Sequence, residues 1–466
     1  MPEICNITNF APRKKIELLI LMRYGTLSRQ LSRLAGPILV ETFLIMALGA
    51  VDTFMLSRHS DNSVAAVGLV NQLVNLVFII FEVISLGTSI LCSQYIGAKL
   101  HKRVIQVVGI SIVFNFFSGL LFSALLYFKA DWLLGIMGVR PDIMPEAMAY
   151  MRIVGAFAFL QAVSLAISAA LRSADKAKYP MMVSAVANLL NIVGNYALIF
   201  GKFGLPALGV RGAAISTVIC RGVALLLLFI ILFKKHIPKF PKEFFSPFPW
   251  YELKKLLKIG IPSAGEQMSY SFSQVVITYF INMLGNEALA TRTYCQNIVM
   301  FTYMLSIALA QGGAIQIGHL VGMKKTHAAY TLGKRVLRIS VFTTVALSLV
   351  TAVLGKPIFN MLTDNPEIIA MGTAVLWADV LVENGRAINL FSVNALRSSG
   401  DIYFPVTIGI IFCWTVSVGC SYLFGVALGG GLVALWCALF LDENIRGIIF
   451  IHRWKSKRWA TKGFVK

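Results

Sequence analysis

The chain of 466 residues is 57% hydrophobic and only 14% charged, with a mean hydropathy of +0.76. That balance excludes an ordinary soluble globular protein. A net charge of +21 would suit nucleic acid, but its distribution along the chain points to a membrane instead.

In chain order, residues 1–33 read as a cytoplasmic N-terminal segment, with an amphipathic helix expected on the membrane face. The run Ile16 to Met22 is too short for a signal-peptide core, and no small-residue cleavage pattern follows it. Twelve apolar runs of roughly 20 residues or more follow, each long enough to cross ~30 Å of hydrocarbon as a helix. They fall at 34–57, 64–92, 104–128, 145–171, 181–201, 209–233, 253–283, 289–317, 335–358, 368–396, 404–425 and 430–452. Alternating strand patterns of an outer-membrane barrel are absent. The expected fold is an all-α polytopic membrane protein with twelve transmembrane helices in two six-helix bundles. The bundles take residues 34–233 and 253–453. The Pro- and Lys-rich stretch 234–252 reads as a cytoplasmic linker and 454–466 as a basic cytoplasmic tail.

Every second loop, together with both ends, holds about 31 of the 42 Lys and Arg. The excess places both termini in the cytoplasm, and gives the basic residues to lipid headgroups and orientation, not to nucleic acid. The seven cysteines include no CxxC and sit mostly in apolar spans, as small buried hydrophobes.

Shifted by about 225 residues, the chain meets itself. Pro37 meets Pro262, Glu41 meets Glu266, Gly97 meets Gly322, and Ala170-Leu171-Arg172-Ser173 meets Ala395-Leu396-Arg397-Ser398. After Gly201 the shift drops to about 220. Halves of six spans re-enter the membrane in the same sense, so they are parallel repeats about a pseudo-two-fold axis along the membrane normal. Pro37 and Pro262 are expected in the first turns of their helices. Gly97 and Gly322 read as helix-ending glycines before basic loops, and Arg172 and Arg397 as anchors at the membrane face.

Ionisable groups inside spans are the candidates for chemistry. Asp52 lies in the first span, either as an interfacial acid reaching water or as a carboxylate within the bundle, able to exchange a proton or bind Na⁺. Asn188, Asn191 and Asn195 recur at spacings of three and four on one helical face. With Ser216 and Thr217 they either help such a carboxylate hold H⁺ or Na⁺, or bond one helix to another. In the second half Glu266, Asp379, Glu383 and Arg386 form a candidate cluster for substrate or proton. The Glu383–Arg386 pair is read either as neutralisation within one helix or as an exchangeable ion pair. Glu41 and Glu82 are further acids in the first half. Asp442, Glu443 and Arg446 read as a self-neutralising structural group near the cytoplasm.

Several motifs together resemble the multidrug and toxic compound extrusion (MATE) family. They are Val51-Asp52-Thr53, Ala65-Ala66-Val67-Gly68, Gln94-Tyr95-Ile96-Gly97-Ala98, Ala170-Leu171-Arg172-Ser173 with Tyr179-Pro180, Ile259-Gly260-Ile261-Pro262, and Asn394-Ala395-Leu396-Arg397 with Phe404-Pro405. The resemblance covers roughly residues 30 to 455. It implies a V-shaped cleft between two bundles that opens alternately to each side, exporting organic, often cationic compounds against inward H⁺ or Na⁺. By position it makes Asp52 the N-lobe cation-site aspartate, with Asn191 and Thr217 as other members of that site. Asn195 stands where many relatives carry a second aspartate. Arg386 stands where some carry an aspartate, and Glu266 lies about one turn before the helix-7 glutamate of those members.

The implied protein is a monomer working on small organic substrates among membrane lipids, with no cofactor beyond the coupling ion. A flippase for a lipid-linked saccharide is the alternative, for which Arg152, Arg221 and Arg386 are the deep arginines available. A membrane enzyme is not supported: HExxH and GxSxG are absent, as is the GxxxxGK[ST] nucleotide loop.

Overall fold

A computed structural model describes residues 13–465 apart from 236, 238 and 239, and side chains from Leu31 onward apart from those at 235 and 242. In the first half, α1 spans Arg13–Ser57, α2 Asp61–Gly97 and α3 His101–Phe128. A short α4 (Ala130–Ile136) precedes α5 (Met144–Ala156) and α6 (Ala158–Ser173), and then come α7 (Lys178–Phe200) and α8 (Val210–Lys235). In the second half, α9 spans Trp250–Asn282, α10 Asn286–Gly322 and α11 Thr326–Val353. A short α12 (Gly355–Leu362) leads to α13 (Pro366–Ser398). The next helix, α14 (Tyr403–Phe412), runs on through π-helical turns at Cys413–Val418 and Ser421–Ala427, and α15 (Gly431–Lys455) closes the half.

Among the described residues nine helices are long and apolar enough to cross a membrane, and the α5–α6 pair, bent by 45°, forms a tenth span. The other two of the twelve, α9 and α15, carry polar inner faces: Glu266, Gln267 and Ser269 in one, Asp442, Glu443 and Arg446 in the other. The repeat survives folding in the matched lengths of corresponding helices. α2 and α10 are both 37 residues long, and α3 and α11 are both 28. Where α13 is continuous, its first-half counterpart bends after Gly155, whose hydrogen faces the Leu126 side chain. No proline is involved; a glycine and a local tightening at Phe157 account for the break.

Two sequence expectations change here. Helical backbone is continuous from Arg13 through the first span, and residues 1–12 lie outside the described residues. Pro37 and Pro262 sit inside α1 and α9, not in their first turns. Each removes an amide from the ladder, which a membrane helix tolerates where neighbours pack against it.

The halves meet through α1, α2, α9 and α10. At the end where α8 leads into the linker, called the linker end, the C-termini of α2 and α10 press together. A Cβ on Gly97 would stand 2.1 Å from the His319 carbonyl oxygen, and one on Gly322 2.0 Å from that of Gln94. The left-handed residues that end these helices are Lys99 and Lys324, both at φ 59°. The two glycines are therefore required by the approach of the halves and not by helix termination. Gln94 ties the seam: its Nε2 donates to the Ser398 carbonyl and its Oε1 accepts from the Phe464 amide, both at 2.7 Å. Residues 456–465 do not trail away as a free tail. Trp459 is buried and stacks on Trp454 at 4.3 Å, and Lys462 and Arg453 both pair with the buried Asp401 at 2.7 Å.

Gly322→Ala should force the seam apart. The expected result is a longer distance between spin labels on Lys102 and His327, repeat counterparts exposed at the linker end of the two halves. An unchanged distance would mean that the crossing accommodates a methyl group.

Candidate functional site

All four N-lobe candidates converge. Asp52 on α1 is half-buried, and its Oδ1 accepts from Asn195 Nδ2 on α7 at 2.7 Å. The same Nδ2 donates to Asn191 Oδ1 at 3.0 Å, and Asn191 Nδ2 reaches Ser216 Oγ and Thr217 Oγ1 on α8, each at 3.4 Å. Asn191 is 2% exposed and Asn195 1%. Asn188 takes the other role open to asparagine: its Nδ2 donates to the Leu44 carbonyl at 2.6 Å, holding α7 to α1.

Helical periodicity accounts for this division. Asn191 and Asn195 lie one turn apart and share a face, and α8 comes close because Gly194 has no side chain. A Cβ at Gly194 would lie 2.5 Å from Ser216 Oγ. Gly194→Ala is accordingly expected to cost about 1–3 kcal/mol of stability. Adding Ser216→Ala should recover part of that loss, as read from thermal unfolding in detergent.

The Asn195 Oδ1 oxygen is buried without a partner. It is suited to accept a proton carried by Asp52, or to coordinate a small hard cation beside the carboxylate. Among the described residues no three His, Cys, Asp or Glu side chains converge on one point. An ion at Asp52 would be held by one carboxylate and neutral oxygens, a donor set that fits Na⁺ and does not require it. Asp52, Thr217, Asn71 and Tyr150 line a cavity of about 300 Å³ within the first bundle. Sequence reasoning noted Arg221 only as a deep arginine; its guanidinium stands over the Phe78 ring at 5.2 Å, within electrostatic reach of Asp52 and Tyr150.

The C-lobe candidates divide in two. Glu383 and Arg386 form an ion pair along α13 on the bundle interior, and Asp379 Oδ1 accepts from Trp436 Nε1 at 3.0 Å. Asn389 Nδ2 donates to Glu443 Oε2 at 2.6 Å, and Arg446 pairs with Asp442 at 2.5 Å and Glu443 at 3.2 Å. The Asp442–Arg446 group is thus self-neutralising as expected, but it is buried mid-helix and joined to the α13 cluster. Glu266 stands apart from that cluster: it pairs with Arg397 at 2.5 Å.

That ion pair has a repeat counterpart, Glu41 with Arg172 at 2.8 Å. The membrane-face anchoring read for Arg172 and Arg397 is therefore incorrect, because both point between the halves into a cavity of about 480 Å³. The signal that would have found them was present in the sequence. Each half repeats one acid and one base of opposite sign, 131 residues apart.

The MatE family model matches this chain twice, over residues 37–197 and 262–423, one segment in each half and at the same 225-residue spacing seen in the sequence. The chain belongs to the MATE family. The uncharacterized transporter YisQ of Bacillus subtilis is 40% identical over 92% of this chain and 94% of its own length. The probable multidrug resistance protein NorM of Thermotoga maritima is 26% identical over 97% and 96%. Among solved structures, the Vibrio cholerae MATE transporter VcmN in its bent form superposes with a TM-score of 0.86 at 20% identity, over 93% of this chain and 97% of that one. The protein is an integral membrane transporter with the two-bundle fold of this family.

Proposed function

We propose that this MATE transporter is an antiporter that exports organic, drug-like compounds across the bacterial cell membrane against inward H⁺ or Na⁺. The observation that carries the reading is the Asp52–Asn195–Asn191–Thr217 relay beside a cavity of its own, separate from the larger cavity between the halves. Substrate and coupling ion then have distinct places. Charging or neutralising Asp52 changes the packing of α1 against α7, and the ion's differential affinity for the two arrangements sets how far the equilibrium moves.

In this reading the linker end and both termini face the cytoplasm, on the strength of their basic residues. The closed seam at Gly97 and Gly322 then corresponds to an outward-facing arrangement, and export alternates it with one in which the seam parts. The names of the multidrug resistance relatives favour drug-like cargo. Lipid-linked saccharide transport is disfavoured by where the deep arginines lie. Arg152 pairs with Asp131 in an exposed position, Arg221 packs on Phe78, and Arg386 pairs with Glu383. None of these three lines the central cavity, and the two arginines that do, Arg172 and Arg397, are each paired with a glutamate.

The test is efflux of an organic cation from proteoliposomes under an imposed ΔpH or Na⁺ gradient. Gradient-dependent efflux is expected from the wild type. Efflux that ignores both gradients would refute antiport.

A further inference from the structure

Glu82 lines the central cavity from α2 and is exposed there. Among the described residues it makes no hydrogen bond and no salt bridge, unlike Glu41 and Glu266, which are held by Arg172 and Arg397. Arg172 lies within electrostatic reach of Glu82, but its guanidinium is engaged by Glu41. Among the described residues the charged members of the cavity lining are Glu82, Arg172 and Arg397, and the two arginines are each paired with their own glutamate. One uncompensated negative charge remains, on the N-lobe wall.

The repeat makes that wall unlike the one opposite. The counterpart of Glu82 is Ile307, which lines the same cavity from α10, with Tyr303 one turn before it. Glu82, Tyr303 and Ile307 line one cavity, so an aromatic ring and an aliphatic side chain share that space with the carboxylate. A cation brought into a cavity of low dielectric is favoured only as far as its charge is matched. Two charges on one ligand would leave the second without a partner.

We infer that Glu82 is the charge-selecting residue of the central cavity, and that the cavity seats amphipathic organic monocations with the cationic centre at Glu82 and the apolar body against Ile307 and Tyr303. The inference rests on the proposed transport of organic compounds and adds its charge rule, its orientation and the residue responsible. Neutral polar side chains of the same lining, among them Gln267, Gln311 and Asn394, supply the few placed hydrogen-bonding groups that orient a ligand in a small-molecule site of this size.

Ethidium and propidium share one phenanthridinium ring system and carry one and two positive charges, which makes them a matched pair of probes. Binding to the purified full-length protein in detergent, followed by dye fluorescence anisotropy, is expected to favour ethidium by about tenfold, equivalent to ~1.4 kcal/mol. Glu82→Gln should abolish that preference through weaker ethidium binding, and Glu82→Asp should retain most of it. Ile307→Glu, which adds a second carboxylate on the opposite wall, should strengthen propidium binding. Ethidium binding and transport unchanged in Glu82→Gln would overturn the assignment while leaving the transport reading intact. So would a loss of gradient coupling in that variant with the dye preference preserved, which would make Glu82 an ion-coupling group instead. A wild-type protein that binds and moves neither dye nor any other organic cation would overturn the transport reading, and this inference with it.

Discussion

Asp52→Asn is expected to leave a folded, membrane-inserted protein whose ion-driven efflux falls at least about a hundredfold, a loss of ~2.7 kcal/mol of coupling. The amide is nearly isosteric with the carboxylate and can still bond Asn195, so the α1–α7 contact survives. It cannot take up a proton at working pH, and it offers a cation no negative charge. Dye accumulation in cells expressing the variant should match that in cells without transporter, at equal protein level. Substrate binding to the purified variant should stay within about threefold of wild type, because Asp52 lines a cavity other than the central one proposed to seat the compound. Full efflux by Asp52→Asn would remove the carboxylate from the coupling step.

Arg397→Ala should be the most destabilising single change in the C-lobe half of the cavity. It leaves the Glu266 carboxylate, mostly buried, without its counter-charge, a situation that costs about 3–5 kcal/mol. Arg172→Ala does the same to Glu41 in the other half, where the acid is deeper, at 5% exposure. Each variant is expected to lose its monodisperse state in detergent at temperatures the wild type survives. The double change Glu266→Gln with Arg397→Gln should recover most of the loss, since no lone charge remains. If Arg397→Ala melts together with wild type, the pair is not structural.

The duplicated plan was legible because repeat counterparts match in the sequence over most of both halves. The N-lobe cluster of polar side chains was legible because three asparagines recur at helical spacing in an apolar span, a pattern with few readings. Which of them bond helices and which attend Asp52 was not, since Asn188 and Asn191 differ only in the neighbour each face meets. Arg172 and Arg397 were misread because a basic residue at a helix end beside a basic loop looks like an anchor. Their glutamates lie 131 residues away, beyond any local pattern. Gly97 and Gly322 were placed correctly at helix ends, but the reason for glycine there comes from the opposite half.

The halves share a frame and differ in chemistry. The counterparts of Asp52, Asn191 and Asn195 are Ile277, Val416 and Cys420, and those of Asp379, Glu383 and Arg386 are Val154, Ala158 and Gln161. Each bundle therefore carries a buried polar group that the other lacks, on different helices. In the proposed antiport, such asymmetry would let an ion bias one lobe while the frame allows both to rock about a common axis.

The most direct test of that motion is the distance between spin labels at Lys102 and His327, placed in a background without native cysteines and measured by pulsed EPR in lipid. Two populations are expected, a short one with the Gly97–Gly322 seam closed and a longer one with it parted. Protons or Na⁺ should shift their ratio in the wild type and leave it fixed in Asp52→Asn. One distance, insensitive to both ions and to that substitution, would contradict alternating access driven from Asp52.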